Sequence, residues 1–187
     1  GTCSGEPQFI SNFSVDFNFT RTPDSSKSWY TTARLMGTNG LDLDNSDAEY
    51  SYADFTFDHN NGVFKGDGGN WPNTWQSWCW KRHAGFDVVA YQGNGSSPRQ
   101  LTHSMNNTVQ MIWTKNRDST SGWRIWHKDL NGGGSNAAKY YLDFETNNPT
   151  ANGDIYGGQA GTLPSSTHYT VGGNAAINES GSNHLAL

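Results

Sequence analysis

Asp143 and Glu145 stand two positions apart in the run Tyr141-Leu142-Asp143-Phe144-Glu145. On an extended strand, residues two apart point to the same face, so the two carboxyls would project together. A β-sandwich glycan hydrolase uses such a pair as general acid and nucleophile. The third acid of that arrangement is missing, because Tyr141 holds the upstream same-face position. The related segment Leu41-Asp42-Leu43-Asp44 has Gly40 there. Asp143 and Glu145 therefore read better as solvent-facing strand carboxylates, with a glycan hydrolase or depolymerase kept as an alternative.

Asp42, Asp44, Asp47, Glu49, Asp54, Asp58 and Asp67 make a second acidic group. Asp42-x-Asp44-x-Ser46 resembles the start of a calcium loop, but Asp47 stands where the sharp turn needs glycine and Ala53 where the bidentate Glu belongs. An EF-hand is excluded. A looser loop-borne calcium site is the alternative that these oxygens allow, and no other cofactor is expected. The histidines, His59, His83, His103, His127, His168 and His184, lack the spacing of a zinc or nucleophile-activating site, and only His103 and His127 are expected to approach one another through strand pairing. Cys3 and Cys79 are too few for a disulfide framework and too far apart for a metal knuckle. They read as reduced or incidental.

The densest aromatic group is Trp71, Trp75, Trp78 and Trp80. Trp78 and Trp80 share one face of a strand and Trp75 takes the other with Ser77 and Cys79, so one set packs a core. Sugar rings stack on exposed Trp faces while amides bind hydroxyls. Trp71 and Trp75 beside Asn70 and Asn73 are accordingly the candidate glycan-binding residues.

The elements that must position these groups are strands. Sustained helical periodicity is missing, and short apolar/polar alternations are bounded by Gly, Asn, Asp and Pro clusters. Phe13, Val15, Phe17 and Phe19 alternate with polar residues, which predicts one strand with its apolar set on the core and Asn18 and Thr20 toward solvent. Val109 to Trp113 and Trp123 to Trp126 flank the loop Asp118-Ser119-Thr120-Ser121-Gly122 and read as a hairpin.

Phe19 to Trp29 is repeated, without a gap, by Trp113 to Trp123. Thr, Asp, Ser and Trp coincide, and Phe/Trp, Arg/Lys and Ser/Thr exchange like for like. The copies extend to Leu41–Asp44 against Leu142–Glu145, and to Trp75–Arg82 against His184–Leu187. The reading is a tandem duplication, with a first β-sandwich unit over residues 1–82 and a second over 83–187. The strand Phe86 to Tyr91 has no counterpart before Gly1, and the last strand of the second unit stops short of its equivalent. These gaps suggest a segment of a longer chain, or a sandwich completed by a neighbour through an unpaired edge.

The formal charge of −5 and the want of a basic stripe argue against a nucleic-acid partner. No apolar run is long enough to cross a bilayer as a helix, so no membrane insertion is expected. The chain opens on Gly1, which suggests a processed product. Five Asn-x-Ser/Thr sequons begin at Asn12, Asn18, Asn94, Asn106 and Asn178, and they have meaning only in a glycosylating host.

Trp80-Lys81-Arg82-His83-Ala84-Gly85-Phe86-Asp87-Val88-Val89-Ala90-Tyr91-Gln92-Gly93-Asn94-Gly95, with Leu101 to Met105, Met111 to Asp118, Trp123 to Leu130 and Tyr140 to Leu142, resembles a repeated β-domain of tailed-bacteriophage virion proteins. Those of marine and cyanobacterial phages are most similar, and the domain neighbours lectin-like or SPRY-like modules in tail-fibre proteins. The resemblance implies an all-β fold of jelly-roll or concanavalin-like sandwiches and a place on the virion surface, outside the host cell. It implies no catalytic residues. The expected function is a non-enzymatic tail-fibre or appendage component that contacts host glycan. The alternative is a capsid decoration protein that binds other virion subunits. Expected partners are other virion subunits or further copies of the chain, trimers being usual for fibres although no heptads are present.

Overall fold

The computed structural model describes residues 7–52, 55–65, 74–83, 85–147, 151–158 and 160–187. Its earlier strands are β1 (Phe9–Ile10), β2 (Phe17–Arg21), β3 (Tyr30–Ala33), β4 (Asn39–Asp42), β5 (Tyr50–Ser51), β6 (Phe55–Thr56), β7 (Gly62–Lys65) and β8 (Gln76–Trp80). The later ones are β9 (Val89–Gln92), β10 (Arg99–Thr102), β11 (Met111–Asn116), β12 (Arg124–His127), β13 (Tyr140–Tyr141), β14 (Ala151–Asn152), β15 (His168–Val171) and β16 (Asn183–Ala186). Helix is confined to single turns such as α1 (Gly134–Ala137) and α2 (Ala175–Asn178). The protein is all-β, with antiparallel sheets throughout the described residues.

Two sheets dominate. One has the order β5-β4-β3-β2-β8 and the other β12-β11-β16-β9, while β1-β7-β6, β10-β15 and β13-β14 form smaller sheets. The two large sheets share a central core. Phe17, Ala33, Met36, Leu41 and Leu43 meet Val88, Trp123, Ile125 and Leu185 in one buried cluster, which takes residues from both sides of the turn at Arg82 and His83. Because strand side chains alternate, the opposite faces carry clusters of their own. Ile112, Trp126 and Ala186 join Tyr156, Tyr169 and Val171 behind the four-stranded sheet. Val15 packs with Phe55, Phe57 and Val63 behind the five-stranded one.

This layering corrects the expectation for Phe13 to Thr20. The strand begins only at Phe17, and Val15 and Phe17 enter different cores. Asn18 and Thr20 do not face solvent, since both are fully buried. Burial of an amide and a hydroxyl is tolerable only if they are hydrogen-bonded. Asn18 Nδ2 donates to Thr20 Oγ1 and Ser77 Oγ, each at 3.0 Å, and Asn18 Oδ1 accepts from Thr32 Oγ1.

The hairpin predicted from Val109 to Trp113 and Trp123 to Trp126 is present as β11 and β12, and its register repeats that of an earlier one. β2 and β3 align Phe17 with Ala33, Asn18 with Thr32, Phe19 with Thr31 and Thr20 with Tyr30. β11 and β12 align Met111 with His127, Ile112 with Trp126, Trp113 with Ile125 and Thr114 with Arg124. Each pair of the second hairpin lies ninety-four positions beyond its counterpart. On the next strand outward, Thr31 opposite Leu41 is matched by a bridge between Ile125 and Leu142. On the other side, Phe19 pairs with Trp78 while Trp113 and Leu187 exchange two backbone hydrogen bonds of 2.9 Å.

Candidate functional site

Between the large sheets lies a cleft of about 520 Å³. Phe17, Trp80 and Phe86 line one side, and Met111, Ile112, Trp113 and Leu187 the other. The first wall is rigid because its rings pack on each other: Phe17 is 5.6 Å from both Trp80 and Phe86, and Trp80 is 6.0 Å from Phe86. Trp78 and Trp80 thus share the inward face, as their spacing predicts. The second wall is open, with Met111 47% exposed.

Asp87 and His103 supply polar groups at the cleft. Asp87 Oδ2 accepts from Ser104 N at 2.8 Å and Ser104 Oγ at 2.7 Å, and Oδ1 accepts from Arg82 Nε at 2.6 Å and Val88 N at 2.8 Å. Burial alone would raise this carboxyl, but the hydrogen bonds from Ser104, Arg82 and Val88 outweigh it and hold Asp87 below its ordinary value. Ser104 Oγ is also 3.0 Å from His83 Nδ1. A Ser, a His and an Asp are therefore in contact, but in the wrong order for a nucleophile. A catalytic triad places His between the other two so that it takes the serine proton. Here the hydroxyl is in the middle and donates to Asp87, which fastens the turn at Arg82 and His83 to Ser104.

The carboxylate pair is not solvent-facing as expected. Asp143 and Glu145 are half-buried and share Arg124, whose Nη1 is 2.5 Å from Asp143 Oδ1 and 3.9 Å from Glu145 Oε1. Burial raises the Glu145 carboxyl, and Asp143 adds to the rise while Arg124 opposes it. Trp29 N donates to Asp44 Oδ1 at 3.1 Å in the earlier hairpin. The Arg124 that Asp143 and Glu145 share accounts for their half-burial without any reaction.

Asp42 and Glu49 are likewise engaged. Asp42 accepts from Tyr50 Oη at 2.9 Å and Asn45 Nδ2 at 3.0 Å, and Glu49 pairs with Arg117. Asp54 and Asp67 lie outside the described residues. Among the described residues no three His, Cys, Asp or Glu side chains gather as metal ligands. His103 and His127 are not brought together by strand pairing, because β10 pairs with β15 and β12 with β11. His103 Nε2 instead meets Ser165 O at 3.2 Å, and His127 lies beside Asp129.

Of the four glycan candidates, Asn70, Trp71 and Asn73 lie outside the described residues. Trp75 is half-buried and stacks on Tyr30 at 5.7 Å, and Tyr30 in turn meets Tyr52 at 5.5 Å. It takes the strand face opposite Trp78 and Trp80, as predicted. Cys79 is a free thiol in a half-buried position, and Cys3 is outside the described residues.

Met111, Phe86 and Leu187 were not singled out as site residues by sequence. The signal that finds Met111 and Leu187 is the repeat itself, which aligns Met111 with Phe17 and Leu187 with Trp78. No helix among the described residues is long and apolar enough to cross a membrane. Neither the curated proteins nor the solved structures give a match to this chain. Residues 12–187 match the family model of a domain of unknown function, DUF7483, and the chain belongs to that family.

Proposed function

We infer that the protein is a non-enzymatic component of a tailed-bacteriophage virion surface, in a tail fibre or a similar appendage, where it packs against other virion subunits. It is built of two β-sandwich units, residues 1–82 and 83–187, related by internal duplication. The observation that carries this reading is the repeated register of the two hairpins, because duplicated β-units that share a core are building blocks for display and assembly. The resemblance to virion β-domains supplies the setting. Arg124 between Asp143 and Glu145 favours a structural role for the acid pair over hydrolysis.

Immunoelectron microscopy of purified phage particles with antibodies to this chain tests the assignment. Label on an appendage is expected, and particles that contain the chain but carry no label on their surface would overturn it. Capsid decoration is the runner-up, and label on the head would select it. Contact with host glycan is carried by Trp75, half-buried in an aromatic stack on the outer face of its sheet. A glycan array that gives binding abolished by Trp75→Ala supports that contact.

A further inference from the structure

The chain holds five Asn-Gly pairs: Asn39-Gly40, Asn61-Gly62, Asn94-Gly95, Asn131-Gly132 and Asn152-Gly153. In such a pair the asparagine side chain lies open to attack by the next backbone nitrogen, because glycine has no Cβ to obstruct the approach. The attack also needs a nitrogen that can leave its hydrogen bonds and a backbone with room to turn. These requirements separate the five pairs.

Four are held. Gly40 lies in β4 opposite Thr32 of β3 and Tyr50 of β5, and a Cβ added to it would stand 3.1 Å from Tyr52 Cβ. Gly62 pairs with Ile10 of β1, and a Cβ there would collide with Phe9 O. Gly95 N donates to Asn178 O at 2.8 Å, and Asn94 Oδ1 is taken up by Ser96 N at 3.0 Å. Gly153 N donates to Lys139 O at 3.1 Å.

Asn131-Gly132 lies instead in the short helical turn Leu130–Gly132, outside every sheet. Asn131 is exposed, and its side chain has no hydrogen-bond partner among the described residues. Asn131 has φ 50°, and Gly132, Gly133 and Gly134 follow at 85°, 81° and 60°, so four successive residues are left-handed. That conformation is unfavourable for a residue with a side chain. A Cβ on Gly132 or Gly134 would meet nothing within 4 Å. The turn therefore has space to rearrange, and a strained asparagine to drive it.

We propose that Asn131 is a site of spontaneous modification, converted to isoaspartate and aspartate through a cyclic imide. Gly132 N gives up its proton to base and bonds to Asn131 Cγ. The bond from Cγ to the side-chain nitrogen then breaks, and ammonia leaves with a proton returned from solvent. Water opens the imide at either carbonyl: opening at the backbone carbonyl gives isoaspartate, and opening at Cγ gives aspartate. One water enters and one ammonia departs, with no oxidant or cofactor. Either product places a further negative charge beside Asp129. Isoaspartate also adds a methylene to the main chain, between Leu130 on the core and Ala137, whose carbonyl accepts from Trp126 Nε1 at 3.1 Å.

The test holds the whole chain at mildly alkaline pH in water enriched in heavy oxygen. Peptide mass spectrometry then follows each pair, with fragmentation that tells isoaspartate from aspartate. Asn131 is expected to convert about tenfold faster than Asn39, Asn61, Asn94 or Asn152, because each of those must first give up a hydrogen bond or a strand. Its product should carry heavy oxygen and be mainly isoaspartate. In urea the five rates should converge. Equal rates in the folded chain, or another pair in the lead, would overturn the proposal. So would a ranking that urea leaves unchanged, since the selection would then lie in the local sequence and not in the fold. Asn131→Gly keeps the left-handed turn and should abolish the first acidic species seen by ion exchange. Its formation at an unchanged rate in the variant would also refute the assignment.

Discussion

Glu49 and Arg117 are joined twice: the Glu49 carboxylate lies 2.7 Å from Arg117 Nη2 and 2.8 Å from Nε, and Glu49 N–H donates to Arg117 O at 2.7 Å. The pair clamps the loop after β4 to the end of β11, across the two large sheets. Both side chains are nearly buried, at 12% and 16% exposure, so each depends on the other for its charge. Arg117→Met strands the Glu49 carboxylate and should cost about 2 kcal/mol, a fall in Tm of roughly 4–8 °C. Glu49→Gln should cost less. A double-mutant cycle by urea unfolding should return a coupling of about 1–2 kcal/mol, and additive losses would mean that the pair is not a clamp.

Lys115 is buried beside this clamp, and its ammonium donates to Asn116 O at 2.8 Å, Ser119 O at 3.2 Å and Ser46 O at 3.3 Å. Burial lowers its pKa to about 8, against the opposing pull of Glu145 and Asp47. The unfolded chain keeps that proton to about pH 10.4. Between the two values the unfolded state binds more protons, so stability rises with pH from about 8. Several tyrosines work the other way from about pH 10, because burial raises them in the fold: Tyr50, Tyr91 and Tyr169. Urea midpoints should climb between pH 7.5 and 9.5, by about 1–2 kcal/mol. Lys115→Met should be weaker at every pH but lose the climb, and a slope kept in the variant would refute the assignment.

What the sequence displayed and what it hid divide along a physical line. The hairpin of β11 and β12 was legible because apolar runs flanked a turn-rich loop, and the repeat fixed its register through Phe19 and Trp113. That Trp78 and Trp80 share one face and Trp75 takes the other follows from the period of a strand. Burial of Asn18 and Thr20 was not legible, because alternation reports polarity and cannot say that a second layer covers the polar face. The same holds for Asp143 and Glu145, whose neighbour Arg124 comes from another strand. The cleft was not legible, because its lining joins Phe17, Trp80 and Phe86 to Met111 and Trp113 from the other large sheet, which only the packing brings together.

Asn178 ties the stretch from Asn94 to Arg99 to Gly172. Its Nδ2 donates to Ser96 O at 2.8 Å and Gly172 O at 3.0 Å, and its Oδ1 accepts from Asn94 N at 3.1 Å and Arg99 Nη1 at 3.0 Å. Asn178→Asp keeps the shape but turns two donors into lone pairs facing carbonyls, and should cost about 2–4 kcal/mol. Asn178 and Asn18 both head sequons and both are fully buried, whereas Asn12, Asn94 and Asn106 are exposed. Expression in a glycosylating host should therefore modify only the exposed three. Peptide mass spectrometry that found glycan on Asn18 or Asn178 in folded protein would contradict the packing.

Trp29 and Trp123 occupy equivalent places in the two hairpins, yet their burial differs. Trp123 is fully buried in the central core and its Nε1 donates to Asp42 O at 2.8 Å. Trp29 is half-buried, 5.6 Å from Phe19 and 5.5 Å from Trp78. Substitution by Phe keeps an aromatic ring but removes the indole N–H. Trp123→Phe leaves the Asp42 carbonyl without that donor and opens space in a closed core, for a loss of about 2–3 kcal/mol. Trp29→Phe retains its ring contacts at the edge of the same cluster and should lose about 1 kcal/mol. Urea unfolding of the two variants side by side decides the matter. Equal losses would mean that the repeat sets the energetics of these positions, and the predicted inequality would mean that the shared core does.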